Sequence, residues 1–165
     1  MYKWEIKIKN NNEFNKIIKD IIANNTVLQM KKYKQHYDIN CFEHCLHVSY
    51  YCYKVCKKLN LDYVSAARAG MLHDLFLYDW RIKQQDKKGL HAFTHPRYAL
   101  ENAKKLFNLN SKEQDIILKH MWPLTIKLPK YKESYIITLV DKYCAISESF
   151  ATYSKKFLKL KSRTA

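Results

Sequence analysis

A small set of side chains in this chain has the chemistry of a metal site. His73 and Asp74 interrupt the apolar run AGMLHDLFLYDW, residues 69–80. Asp141 interrupts ITLVDKYC, residues 137–144, in the same way. A carboxylate in such a run is expensive to bury, so each acid needs a cation, several donors or water. His44, His95 and His120 also lie beside apolar residues. Any one of these histidines, taken alone, reads as an ordinary hydrogen-bonded core or surface group. Together, four imidazoles and two carboxylates form a mixed nitrogen–oxygen donor set. Such a set suits Fe, Mn or Zn better than Mg or Ca, which prefer oxygen alone.

Residues so far apart in sequence meet only if helices bring them together, which is how bundles build metal sites in their cores. Residues 11–25 carry Phe14, Ile17, Ile18, Ile21 and Ile22 at helical spacing between asparagines. Residues 41–60 place Cys45, Val48, Cys52, Val55, Cys56 and Leu59 along one face. Residues 61–80 begin with Asp62 as N-cap and run through Ala66, Ala67, Ala69 and Gly70. These small residues admit a neighbour closely, so this is the expected central helix, with His73-Asp74 near its end. A loop is expected over 81–94, then a helix over 95–110 with Pro96 in its first turn. Ser111 and Gln114 suggest a capping box for a helix over 111–122. Pro123 and Pro129 bracket a loop, and a last long helix starts near Tyr131. The opening YKWEIKIK alternates like a strand but has no partner to pair with. The expected fold is all-α, a bundle of about six helices.

Composition narrows the classes. A length of 165 residues is one domain by size and can bury a core without disulfides. The five cysteines have core spacing and form no Cys-x-x-Cys. The charged start MYKWEIKIKN has no signal-peptide core, so a reduced, cytoplasmic protein is expected. No apolar run approaches a membrane span. Two glycines are too few for a Rossmann or P-loop nucleotide site. The net charge of +15 suits an anionic partner, although lysines spread over the chain also simply solvate helix faces. The densest basic cluster is the tail, residues 154–165.

The order His, His-Asp, His, His, Asp resembles the HD-domain metal-dependent phosphohydrolases, over about residues 36–150. FEHCLHVSYYCYKVCKKLNLD resembles the first ligand helix, with His44 at the ligand position. AGMLHDL resembles the paired motif. THPRYALENAKKLF and IILKHMWPL resemble the segments carrying the two extra histidines of the dinuclear subgroup. IITLVDKYCAISE resembles the helix of the final aspartate.

The resemblance implies an HD-domain-like bundle around a central metal site. It assigns His44, His73, Asp74 and Asp141 to one metal ion. It assigns His95 and His120, with Asp74 bridging, to a second. His73 and Asp74 are the implied catalytic pair. The implied cofactors are two transition-metal ions, Fe or Mn foremost and Zn as a further choice. The implied reaction is hydrolysis of a phosphoester or phosphoanhydride in a nucleotide or similar metabolite, by a metal-activated water. Arg97, Lys142, His47 and His91 are candidates for holding substrate, with His91 read as loop. His47, three residues after His44, shares its helix face. Trp122 and Tyr143 are candidates for stacking on a base. Asp79 reads as a loop residue beside Trp80.

Departures from the family pattern matter. His-Asp continues Leu-Phe-Leu-Tyr, where dinuclear bacterial members often have Ile-Gly-Lys, so a basic group acting on phosphate must come from elsewhere or be absent. The Gly-Tyr-Pro signature of cyclic-di-GMP phosphodiesterases is absent. Rival readings are a nucleotide-sensing HD module that does not hydrolyse, and a di-iron HD oxygenase. Nucleic-acid binding rests on charge alone.

Overall fold

Polar side chains decide where the helices of this chain begin. The computed structural model describes residues 8–36, 39–82 and 89–161. Asn11 caps α1 (Asn12–Ile22), its side-chain oxygen accepting from the Phe14 N–H. Asn24 caps the single turn α2 (Asn25–Leu28), which runs into a 3-10 turn at Gln29–Lys32. Asn40 caps α3 (Cys41–Lys58) through the Glu43 N–H. Asp62 caps α4 (Tyr63–Leu72) through the Ser65 N–H. Each such bond satisfies an N–H that has no partner inside the helix. The remaining helices are α5 (His91–Leu106), α6 (Ser111–Lys119) and α7 (Lys132–Lys161).

Three elements differ from expectation. The capping box of α6 is built by Asn110 and Glu113, one residue earlier than Ser111 and Gln114. Glu113 returns a bond to the Asn110 N–H and reaches Arg68 on α4, which sets the register. Helix α5 begins at His91, so His91 is helical and not loop, and the helix stops at Leu106. Pro96 therefore lies inside the second turn, where it leaves the Ala92 carbonyl without its helical donor. Bonds from the Thr94 hydroxyl to the Leu90 carbonyl and from His95 to the His91 carbonyl hold the early turn. A small antiparallel hairpin, β1 (Lys34–His36) and β2 (Ile39–Asn40), precedes α3. The strand expected near the start falls mainly on residues 2–7, outside the described residues.

The core forms where α3, α4, α6 and α7 meet. Cys45, Val48, Cys52 and Cys56 of α3 pack with Ala66 and Ala69 of α4, Ile116 and Ile117 of α6, and Ile137, Val140 and Cys144 of α7. The five cysteines are free and buried, as core spacing predicts. Phe14 and Ile18 of α1 pack on Tyr50 and Tyr53 from the outer side of α3. The architecture is the all-α bundle expected. Among the described residues no helix is long and apolar enough to cross a membrane.

Helix α4 lies against α3 more closely than against its other neighbours, because its small residues allow it. A Cβ placed on Gly70 would sit 2.9 Å from the Ser49 Cα, closer than real contacts come. The Ser49 hydroxyl donates to the Ala67 carbonyl at 2.6 Å across the same seam. This approach brings His44 of α3 beside His73 at the end of α4, their ring centroids 5.5 Å apart. Replacing Gly70 by Ala is expected to cost about 1–3 kcal/mol in urea unfolding, since backbone must move to admit the methyl.

Candidate metal centre

His73 and His120 are each the residue that closes a helix, α4 and α6 respectively. The Nδ1 of His73 lies 2.8 Å from the Gly70 carbonyl, and that of His120 lies 2.8 Å from the Ile117 carbonyl. His95, one turn into α5, makes the same bond to the His91 carbonyl at 2.8 Å. A carbonyl only accepts, so Nδ1 carries a hydrogen in all three rings and Nε2 is the atom left to face inward. The main chain thereby orients three imidazoles as metal-binding histidines are oriented.

Those Nε2 atoms converge. His95 Nε2 and His120 Nε2 are 2.9 Å apart. Asp74 Oδ1 lies 3.2 Å from the first and 3.5 Å from the second. His73 Nε2 lies 3.6 Å from Asp74 Oδ2 and 3.6 Å from Asp141 Oδ1. His44 Nε2 meets Asp141 Oδ1 at 3.0 Å. Two sets, His44–His73–Asp141 and His73–Asp74–His120, each have ligand atoms within 4.8 Å of one another. His73 Nε2 and Asp74 Oδ1 are buried and make no hydrogen bond. Two orphaned buried atoms are costly, and a cation between them would relieve both. The donor set therefore fits transition-metal ions.

Behind this cluster stand two groups that sequence reading missed. Glu148 is buried on α7, accepting from His44 Nδ1 at 2.9 Å and from His47 Nδ1 at 2.7 Å. It fixes the His44 ring so that Nε2 points at Asp141. A signal existed, since Glu148 is two helical turns after Asp141 and shares its face. Gln35, on the hairpin, donates to Asp74 Oδ2 at 2.6 Å and leaves Oδ1 to the histidines. Nothing local in the sequence marks Gln35.

The charges agree with this geometry. Burial alone would raise the Asp74 pKa, but the facing His73, His95 and His120 hold it far below the usual carboxylate range. Asp141 is likewise held well down, burial being outweighed by His44 and His73. Burial lowers the pKa of His44, and the carboxylates of Asp141 and Glu148 more than restore it, well above its ordinary value. Burial and the positive charge of His73 push His120 down to about 3, so it stays neutral and able to bind metal.

A cavity of about 270 Å³ opens onto the cluster, with Asp74, His95, His120 and Asp141 in its lining. Trp80 and His91 form a wall beside them. The Trp80 and His91 rings stack at 5.6 Å and 20°, and His91 stacks on His95 at 4.5 Å and 21°. Burial, with a smaller contribution from the neighbouring His95, pushes His91 down to about 4, so it is neutral at pH 7. Leu77 takes a left-handed backbone, φ 55°, in the turn that carries the chain from Asp74 to Trp80. Such strain in a non-glycine residue is typical of functional sites.

Of the candidate substrate groups, Lys142 and His91 line this cavity and His47 lies behind it on Glu148. Arg97 is not brought there. It pairs with Glu101 on the surface and lines a separate cavity with Phe93 and Leu124. Trp122 packs edge-on against Tyr135, and Tyr143 against Tyr51, so neither ring is in the lining. Asp79 pairs with Arg81 within its own turn. Residues 83–88 of the loop expected over 81–94 lie outside the described residues.

The family model for the HD domain matches residues 41–146. No curated protein and no solved structure matches the chain. The matched span runs from the first residue of α3 into α7 and includes His44, His73, Asp74, His95, His120 and Asp141, while Glu148 falls just beyond it.

Burial would raise the Glu148 pKa, but His44 and His47 bring it down to about 2 from an ordinary 4.5. Its contribution to stability is therefore present above about pH 4.5 and is lost as pH falls towards 2. The His44 contribution is present below its ordinary 6.5 and is lost as pH rises through its elevated value. Glu148→Gln should lower the unfolding free energy of metal-free protein by about 3 kcal/mol near pH 6. The difference from wild type should shrink towards pH 2, as read by urea unfolding across pH.

Proposed function

The chain belongs to the HD-domain family, whose members are typically metal-dependent phosphohydrolases, and we propose that it hydrolyses a phosphoester or phosphoanhydride of a nucleotide or similar metabolite. The observation that carries this reading is the inward convergence of the His73, His95 and His120 Nε2 atoms on Asp74, with His73 Nε2 and Asp74 Oδ1 unsatisfied. His44, His73, Asp74 and Asp141 would hold one metal ion; His95, His120 and Asp74 would hold a second. Bound metal would supply an acidified water and neutralise charge on the phosphoryl oxygens.

The rest falls to this chain's own residues. Main-chain carbonyls keep the three imidazoles aimed inward without reorganisation. Gln35 holds Asp74 by one oxygen and leaves the other for the reacting centre. The lysine absent after His-Asp has a replacement in Lys142, at the cavity rim, whose ammonium reaches the Thr138 and Trp122 carbonyls at 3.3 and 3.4 Å. There it would meet a phosphate oxygen. The Trp80–His91 wall supports a substrate with a planar ring, because the indole is half-exposed at the mouth. Those rings are the specific support for a nucleotide.

Elemental mass spectrometry on protein purified without chelator should find about two equivalents of Fe, Mn or Zn. His95→Ala should reduce this to about one and lower kcat/KM on a dinucleoside polyphosphate or bis(p-nitrophenyl) phosphate at least about 100-fold. Protein that takes up no metal even after reconstitution would sink the proposal. Metal-loaded protein that binds nucleotide without turnover would make it a sensor, and oxygen uptake by a coloured protein would make it an oxygenase. Lys142→Ala should raise KM more than it lowers kcat, by about 10-fold, as loss of one phosphate contact does.

A further inference from the structure

Helix α7 carries an apolar stripe on the side turned away from the metal cluster. Ile137, Val140, Cys144 and Glu148 face the bundle and are buried. Leu139, Tyr143, Ile146, Phe150 and Tyr153 lie on the opposite side at 100° per residue and are 69, 55, 57, 68 and 71% exposed. Their spacing is four, three, four, three. Ile136, one step back, is partly buried against the core instead, while in sequence Phe157 and Leu160 continue the stripe forwards. Scattered surface leucines need no explanation, but a contiguous aromatic and aliphatic stripe on a chain of +15 does.

The 3.5-residue period is the spacing at which one helix receives the side chains of another. We propose that α7 pairs antiparallel with α7 of a second copy of this chain, along the seam from Leu139 to Tyr153. Three observations select that occupant. The described positions flanking the seam are Ser147 on one edge and Lys142 with Ser149 on the other, and in an antiparallel pair Lys142 falls across from the partner's Ser149, so two helices can approach without like-charge contact. A helix lying on an acidic membrane instead favours cations along both edges of its apolar face. The five side chains expose on the order of 600 Å² per copy, and about 1,200 Å² for a pair reaches the range of specific interfaces. The lysines at 155, 156, 159 and 161 crowd one end of the helix. Antiparallel pairing keeps the two basic ends apart, whereas parallel pairing sets them side by side. With the two-fold axis near Ile146, Leu139 of each copy meets Tyr153 of the other, and Tyr143 meets Phe150. The pairing rests on none of the metal-site reading.

Sedimentation equilibrium of the full chain tests it. Wild type should form a dimer, and Ile146→Glu and Phe150→Glu should each weaken it at least about 100-fold with unchanged helical circular dichroism. The native thiols are buried, so an added surface cysteine reports geometry. Ile146→Cys should cross-link to itself under mild oxidation. Tyr153→Cys should not, because its counterpart would be about 20 Å away along an antiparallel partner. A wild type monomeric at about 100 μM, dimers indifferent to both glutamates, or efficient Tyr153→Cys cross-linking would overturn the proposal. So would a monomer that co-sediments with phosphatidylserine vesicles and loses this with Phe150→Glu, which would make a membrane the occupant.

Discussion

Asp74 and Asp141 put two negative charges into the middle of a helical bundle, and much of the surrounding structure exists to keep positive charge between them. His73 is the point where the two acids meet, 3.6 Å from each. A proton there or a metal ion there answers the same electrostatic demand, since either offsets carboxylates that burial alone would force to protonate. The demand explains why four imidazoles gather from four helices, and why Glu148 stands behind His44. It also explains the short distance from α3 to α4 at Gly70, without which His44 and His73 would not share an acid.

Helix termini do much of this positioning. The last turn of a helix leaves carbonyls without donors. At α4 and α6 the closing histidine supplies that donor through Nδ1, and the bond that ends the helix also aims Nε2 at the cluster. Stability and site geometry are thus one interaction at His73 and His120. The rings are held by backbone rather than by flexible side chains, which is the rigidity a pre-organised site requires. His95 reaches the same arrangement inside α5, where Pro96 has already removed one backbone donor.

Helix α7 has two faces with different duties. One buries Ile137, Val140 and Cys144 and delivers Asp141 and Glu148 to the cluster. The other carries the apolar seam, and between them Lys142 reaches the cavity rim. A contact on the outer face would stiffen the helix that holds Asp141 without covering the cavity.

Sequence alone determined most of the helices and singled out the histidines and aspartates that the structure gathers. The caps at Asp62 and Asn11, the cysteines as core, and the start of α3 follow from forces that act over three or four residues. So does the oddity of His-Asp and of Asp141 inside apolar runs. The tertiary structure decided what depends on which faces meet. Glu148 reads as one more surface acid until α7 turns it against α3. Gln35 reaches Asp74 only through a hairpin that no glycine announces. Arg97 is drawn away to another cavity, Trp122 and Tyr143 are taken by neighbouring rings, and Trp80 with His91 forms the wall instead. The register of the α6 cap is likewise set from outside, by Arg68 holding Glu113 across from α4. Local periodicity says that a helix has a buried side. Which neighbour covers that side is settled by close packing between segments far apart in sequence, and that information is spread over the whole chain.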